Sequence, residues 1–391
     1  MAQIIVLGIL VYLTILAPAL LHTNQYEFII ERFQIDSIFL TSFFDTSLYL
    51  SYLIGGIITA LISNRLKKRK NFVLIGSLFS ASFYFLMTIT QDYFLLLVFR
   101  FLQGFFTVLC WQTLMTLTLD ISNNKNRGRN MGVFGIFLAL AMGSGPIFGG
   151  IFAQIGVLVP YYSAVILSLC VLLVSFFMLQ EPENISSIPS ISKNLKILVD
   201  KPKLIIPGIF NLVDRLHIGF ILLILPLMLQ LELGVEPGLR GMVLGLFATP
   251  FILLQYPIGN LSDKYGRYKF LIVGSIFTAL MLMVMGILAQ IGFLILIVGF
   301  ILLGIGNGLT GPPAMALVGD VIDPAENALG MGFFNLMGNI GIIIGPLFGG
   351  FLVDSTNFII TFFLAGVIEI LSLSIILTSL FWIFNQNKSS L

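Results

Sequence analysis

Charge is what this chain is short of. Asp, Glu, Lys and Arg make up 10% of its 391 residues, against roughly 25% in an average water-soluble protein. A soluble enzyme or a disordered scaffold does not have this composition, and a formal net charge of +2 provides no bulk attraction to nucleic acid. Cysteine is scarce too: Cys110 and Cys170 both sit inside apolar runs, which argues for buried thiols rather than a disulfide framework or a metal site. The two histidines, His22 and His217, lie in opposite halves of the chain, so no nucleophile–base pair is legible. Walker-type loops, zinc-ligand spacings and dinucleotide fingerprints are missing as well. The sequence therefore predicts neither catalysis nor a cofactor nor a bound metal. Work done by such a protein must draw on an ion or solute gradient.

What is present is apolar. Hydrophobic residues account for 58% of the chain, with 37 Phe among them, and mean hydropathy is +1.05. A membrane-crossing helix needs about 20 such residues, because each rises about 1.5 Å through a core about 30 Å thick. Twelve runs qualify, at 2–22, 38–62, 72–90, 93–117, 130–153, 157–179, 204–230, 241–258, 270–289, 291–316, 328–352 and 357–384. Barrel strands would alternate polar and apolar over about 10 residues, and these runs do not. Ala17-Pro18-Ala19 imitates a signal-peptide cleavage site, but residues 1–22 contain no Lys or Arg, and a signal peptide wants a positive start. Basic residues set orientation. With both termini cytoplasmic, sixteen of the twenty fall on the inside, and only Arg32 and Arg240 fall outside. The remaining two, Arg100 and Arg215, lie within spans.

The chain repeats itself at an interval of about 200 residues. Met131-Gly132 returns as Met331-Gly332, and Asp120 returns as Asp320. Gly145-Pro146-x-Phe148-Gly149-Gly150 returns as Gly345-Pro346-x-Phe348-Gly349-Gly350. Each half has six spans, an even number, so both halves share one orientation: a parallel repeat about an axis along the membrane normal. The expected architecture is an all-α integral membrane protein with two six-helix bundles, residues 1–179 and 204–391. A polar cytoplasmic linker, 180–203, joins them, with a short surface helix read over 191–200.

Particular motifs carry a family likeness. Gly259-x-x-x-Asp263-Lys264-x-Gly266-Arg267-x-Lys269, between spans eight and nine, has a counterpart at 60–70 in which Ala60, Asn64 and Lys67 replace the leading Gly, the Asp and the second Gly. Arg100-x-x-Gln103-Gly104 stands in span four, and Gly304-x-Gly306-Asn307-Gly308-x-x-Gly311-Pro312 in span ten. With the Gly-Pro segments of spans five and eleven, these make the whole chain resemble the major facilitator superfamily. The resemblance implies that the 259–269 loop steadies an outward-facing state and releases during the inward switch. It further implies that Gly145-Pro146-x-x-Gly149-Gly150, a pattern associated with drug–proton antiporters, bends a helix where the halves meet. Elementary chemistry offers plainer roles beside these: positive charge holds a loop in the cytoplasm, while Pro kinks helices and Gly lets their backbones touch.

Charges inside spans are expensive and default to functional candidates. Asp45 in span two and Arg100 in span four each lie about seven residues, or about 10–12 Å, from the outer surface, so they are placed to meet. A conformational change that separates them would change proton affinity, the physical requirement of coupling; a static ion pair is the alternative. Asp214 and Arg215 lie near the middle of span seven, with Asn211 on the face of Asp214 and His217 one turn on. Gln103, Thr107 and Trp111 continue the face of Arg100 at helical spacing, and with Asn211 and His217 they are the candidate lining of a substrate cavity. Glu369, midway along span twelve, is left outside the candidate site. The function this predicts is proton-coupled efflux of a hydrophobic or amphipathic compound through the plasma membrane, by a monomer in the lipid bilayer. A lipid or small-solute transporter of the same fold is an alternative reading, and a transport-inactive receptor or scaffold is another.

Overall fold

The computed structural model describes residues 2–66, 68–122, 126–181, 201–322 and 327–389. The surface helix read over 191–200 and the side chains of Asn64 and Lys67 lie outside them. Twelve long helices run in order: α1 Ala2–Ala19, α2 Ile38–Leu66, α3 Arg69–Ile89, α4 Tyr93–Asp120, α5 Arg127–Ile155, α6 Val159–Met178, α7 Ile205–Leu233, α8 Pro237–Tyr265, α9 Arg267–Ile291, α10 Phe293–Val321, α11 Asn327–Ser355 and α12 Phe358–Ser389. Each contains a stretch long and apolar enough to cross a membrane. No strand occurs among the described residues. In hydrocarbon every backbone polar group must be satisfied within the protein, and a helix does so within one segment.

Most helices run a turn or so past the apolar runs. The run gives the stretch that lipid demands, while caps and turns fix where the helix stops. Pro237 starts α8, where its missing N–H costs nothing. Asp92 accepts from the Leu95 amide at 2.7 Å at the start of α4, and Asn357 accepts from the Ile360 amide at 2.9 Å at the start of α12. Gly266, between α8 and α9, has φ +97°, a conformation that glycine adopts without steric cost.

Between α1 and α2 the chain is buried from Leu20 to Gln25. Leu20–His22 forms a 3₁₀ turn and Tyr26–Glu31 one turn of π-type helix. Phe28 stacks on Tyr161 of α6, ring centroids 3.7 Å apart. Arg32, counted above only for its charge, donates to the carbonyls of Thr88 and Thr90 at 2.7 Å each and of Met87 at 3.3 Å. These belong to the open end of α3, whose last carbonyls have no partner within the helix. Arg32→Ala is expected to lower stability by about 2 kcal/mol, the scale of a lost charge-assisted hydrogen bond; thermal unfolding of the purified protein measures it.

The chain falls into two compact units, Met1–Ile188 with Leu222–Gly245, and Pro189–Ile221 with Leu246–Leu391. In the first, Leu20, Phe28, Phe44, Tyr84 and Tyr161 share one core cluster. In the second, Phe210, Leu271, Leu317, Phe333 and Phe334 do. Large apolar side chains also point outward, among them Phe94, Phe177, Tyr256 and Leu294, as expected of a protein whose surroundings are lipid.

Candidate functional site

Arginine is almost never fully buried unless paired, yet Arg69, Arg100 and Arg240 head the fully buried side chains. All three belong to the first unit, and each meets a carboxylate.

Arg100 of α4 meets Asp45 of α2: Nη2 lies 3.9 Å from Oδ1, and neither side chain is exposed. The guanidinium stands over the Phe44 ring, 4.4 Å from its centroid, a desolvated cation–π contact. Its Nη1 donates to Gln103 Oε1 at 2.9 Å. Gln103 in turn donates to the Tyr84 hydroxyl at 2.8 Å and to Thr107 Oγ1 at 2.7 Å, and Thr107 pairs with Ser80 at 2.9 Å. Around Asp45, Gln25 Nε2 donates to Oδ2 at 2.8 Å, and His22 Nδ1 lies 3.7 Å from Oδ1. Asp45 Oδ1, Arg100 Nη2 and His22 Nδ1 have no hydrogen-bond partner among the described residues. The acid and base are thus in electrostatic contact without a locked hydrogen bond, and protonating Asp45 removes the attraction between them. Proton occupancy and the Asp45–Arg100 contact are linked.

Sequence reading missed His22 and Gln25. The run His22-Thr23-Asn24-Gln25 looks like a loop leaving a span, but all four residues are buried. Their signal was polarity with no Gly, Pro or charge beside it. Gln103 and Thr107, read as cavity lining, are committed to hydrogen bonds inside the first unit, and Trp111 packs against its Leu114–Leu117 core.

Arg240, counted from the sequence only as an outside charge, is fully buried in the first turn of α8 and donates to Glu27 of the π-type turn. Beside it, Gly150 and Gly241 let α5 and α8 touch: a Cβ on Gly150 would lie 2.4 Å from the Pro237 carbonyl oxygen, and one on Gly241 2.2 Å from that of Pro146. Gly145 and Gly149 face the other way, onto Ala19 and Leu20. In the second unit, Gly345 abuts the Leu216 carbonyl at 2.2 Å by the same test, and Pro346, Gly349 and Gly350 are buried in α11.

The third buried arginine, Arg69 at the start of α3, donates through Nε to Asp120 at the end of α4, 3.1 Å away. Glu181 caps the same helix, accepting from the Arg69 and Lys70 amides. The second unit repeats the pair: Arg267 at the start of α9 grips Asp320 at the end of α10 through Nε and Nη2, and also holds Asp263. Sequence comparison matched Asp120 with Asp320 but not the arginines they hold. Lys264 and Lys269 stay exposed, and Gly259 has open space where a Cβ would stand.

Also in the second unit, Asn211 donates to the Phe334 carbonyl at 2.7 Å, and Asp214 accepts from Thr310 at 2.8 Å. Arg215 runs beside Gly338 of α11. His217 meets the Ala365 carbonyl and Glu369 of α12.

Comparison with known proteins follows the same lines. The sequence profile of the Major Facilitator Superfamily matches residues 4–216 and again 208–390. The tetracycline resistance protein, class H, of Pasteurella multocida is 31% identical over 191 residues, 48% of this chain and 46% of that one. The quinolone resistance protein NorA of Staphylococcus aureus is 29% identical over 163 residues, 40% of this chain and 39% of that one. The chain thus spans under half the length of these curated relatives. Among solved structures, the nucleoside transporter NupG (D323A mutant) superposes with a TM-score of 0.79 over 96% of this chain and 99% of that one, at 13% identity. That last likeness is one of fold.

Proposed function

The chain belongs to the Major Facilitator Superfamily, and on that premise we propose that it is a secondary active transporter that exports a hydrophobic or amphipathic compound in exchange for protons. It works by alternating access of two six-helix bundles, residues 1–179 and 204–391, in a plasma membrane with both termini cytoplasmic. It acts as a monomer. The observation that carries the reading is the Asp45–Arg100 pair, buried yet not locked, with His22 and Gln25 against the same carboxylate. A buried acid whose contact with a fixed cation depends on its proton is what coupling requires. The outward direction is supported by relatives named for tetracycline and quinolone resistance, since a membrane protein without catalytic residues confers resistance most simply by removing the compound.

The 259–269 loop supplies the switch: Gly266 sets the turn, and Arg267 ties Asp263 to Asp320. Because that cluster is partly exposed, Asp320→Asn is expected to change stability by no more than about 1 kcal/mol. The same variant is expected to slow transport several-fold, read as initial flux against thermal unfolding of one preparation.

Proteoliposomes holding the purified chain, given a pH gradient and a panel of dyes, lipids and sugars, test the whole reading. Proton movement that depends on an amphipathic dye is the expected result. Flux indifferent to the gradient would make the protein a uniporter, and no flux with any panel member would overturn the transporter reading.

A further inference from the structure

His217 is enclosed on α7, its side chain 1% exposed. One turn of α12 lies against both of its ring nitrogens: Nε2 lies 3.1 Å from the Ala365 carbonyl oxygen, and Nδ1 lies 3.3 Å from Oε2 of Glu369 yet has no hydrogen-bond partner among the described residues. A carbonyl oxygen only accepts, so Nε2 carries hydrogen. A neutral imidazole has one N–H, which leaves Nδ1 a bare acceptor. An ionised carboxylate is also only an acceptor. Two acceptors this close in a buried site repel, and Nδ1 is left unsatisfied. One further proton resolves the contact, whether it resides on the imidazole or on the carboxyl.

The surrounding charges ask for the same proton. Asp214 lies within electrostatic reach of Glu369, His217 and Arg215, and its Oδ1 accepts from Thr310 of α10. With the proton the two acids and two bases of this group sum to zero. Without it these four groups carry a net charge of −1, one turn of α7 from Phe220, which packs edge to face on Phe362 at 5.1 Å.

We infer that His217 and Glu369 form a proton-binding site in the second unit, separate from the Asp45–Arg100 pair of the first. That this proton is one of those moved in transport rests on the reading above; its residence at the site does not.

The test is an equilibrium one, on isotope-labelled histidine in the full chain reconstituted in lipid nanodiscs. The chain has 2 His, and His217→Asn identifies the signal to follow. At neutral pH the His217 ring should carry hydrogen at Nε2 and share a second proton with Glu369 at Nδ1. On alkalinisation that second proton should leave. Glu369→Gln presents an amide N–H to Nδ1, so it keeps the contact without the extra proton. It is expected to give a neutral, Nε2-protonated ring and to release one proton fewer per chain over the same titration. A ring protonated at Nδ1 with a bare Nε2, or a proton count unchanged by Glu369→Gln, would overturn the inference. If the proteoliposomes show no coupled flux while the count still falls by one, the transport reading fails and the site stands.

Discussion

Asp45→Asn is expected to abolish substrate-dependent proton movement in proteoliposomes while the protein still inserts and folds. Asparagine has the shape of aspartate, and its amide oxygen, standing where Oδ2 stands, accepts from Gln25, so the local packing survives. What disappears is the charge that answers Arg100, and with it the link between a proton and the contact. A coupling free energy of about 1–3 kcal/mol corresponds to a factor of about 5–150, so coupled flux should fall to background. Stability should fall too. Removing one partner of a buried ion pair costs about 3–5 kcal/mol because the other charge is left stranded, although Gln103 Oε1 and the Phe44 face still hold the guanidinium. Asp45→Asn combined with Arg100→Gln separates the two effects. The double variant removes the stranded charge, so its melting temperature should recover toward wild type, while coupling stays lost. Retained coupling in the single variant would make the pair a static brace and would move the coupling role elsewhere in the chain.

The same pair shows what a sequence can reveal about this protein. Asp45 and Arg100 were found because a charge in an apolar run is visible without any tertiary information, and the depth of each follows from helical rise. The twelve spans and the two-fold repeat were legible for the same reason: lipid imposes a length and a composition that a single sequence records. His22 and Gln25 were not legible, because burial there comes from the 3₁₀ and π-type turns folding back onto α6, and no periodicity announces that. The partner of Arg240 was not legible, because a charge at a span boundary has the same pattern whether it faces water or Glu27. Glu369 stood in plain view as an acid in a span. Only the position of the Ala365 carbonyl, one turn away, turns its contact with His217 into a demand for a proton.

Gly149→Ala, the addition of one methyl group, is expected to destabilise the first unit more than most larger substitutions elsewhere. Its Cβ would lie 2.1 Å from the Leu20 carbonyl oxygen and 2.7 Å from the Leu20 carbonyl carbon. Both atoms are backbone, so no rotamer change relieves the clash; α5 and the 3₁₀ turn that follows α1 must move apart. Overpacking a core costs about 1–3 kcal/mol when side chains can yield, and here the cost should reach or pass the top of that range. The control lies on the same helix. A Cβ at Gly135 would meet nothing within 4 Å among the described residues, and alanine is preferred to glycine in a helix by about 0.5–1 kcal/mol. Gly135→Ala should therefore leave the melting temperature unchanged or raise it, while Gly149→Ala lowers it sharply. Opposite signs for one chemical change, 14 positions apart on α5, would assign the Gly-Pro-x-x-Gly-Gly segment to close backbone docking against the end of α1. Equal and small effects would mean that α5 and the 3₁₀ turn after α1 are not held at this distance, and that the segment owes its composition to the bend at Pro146 alone.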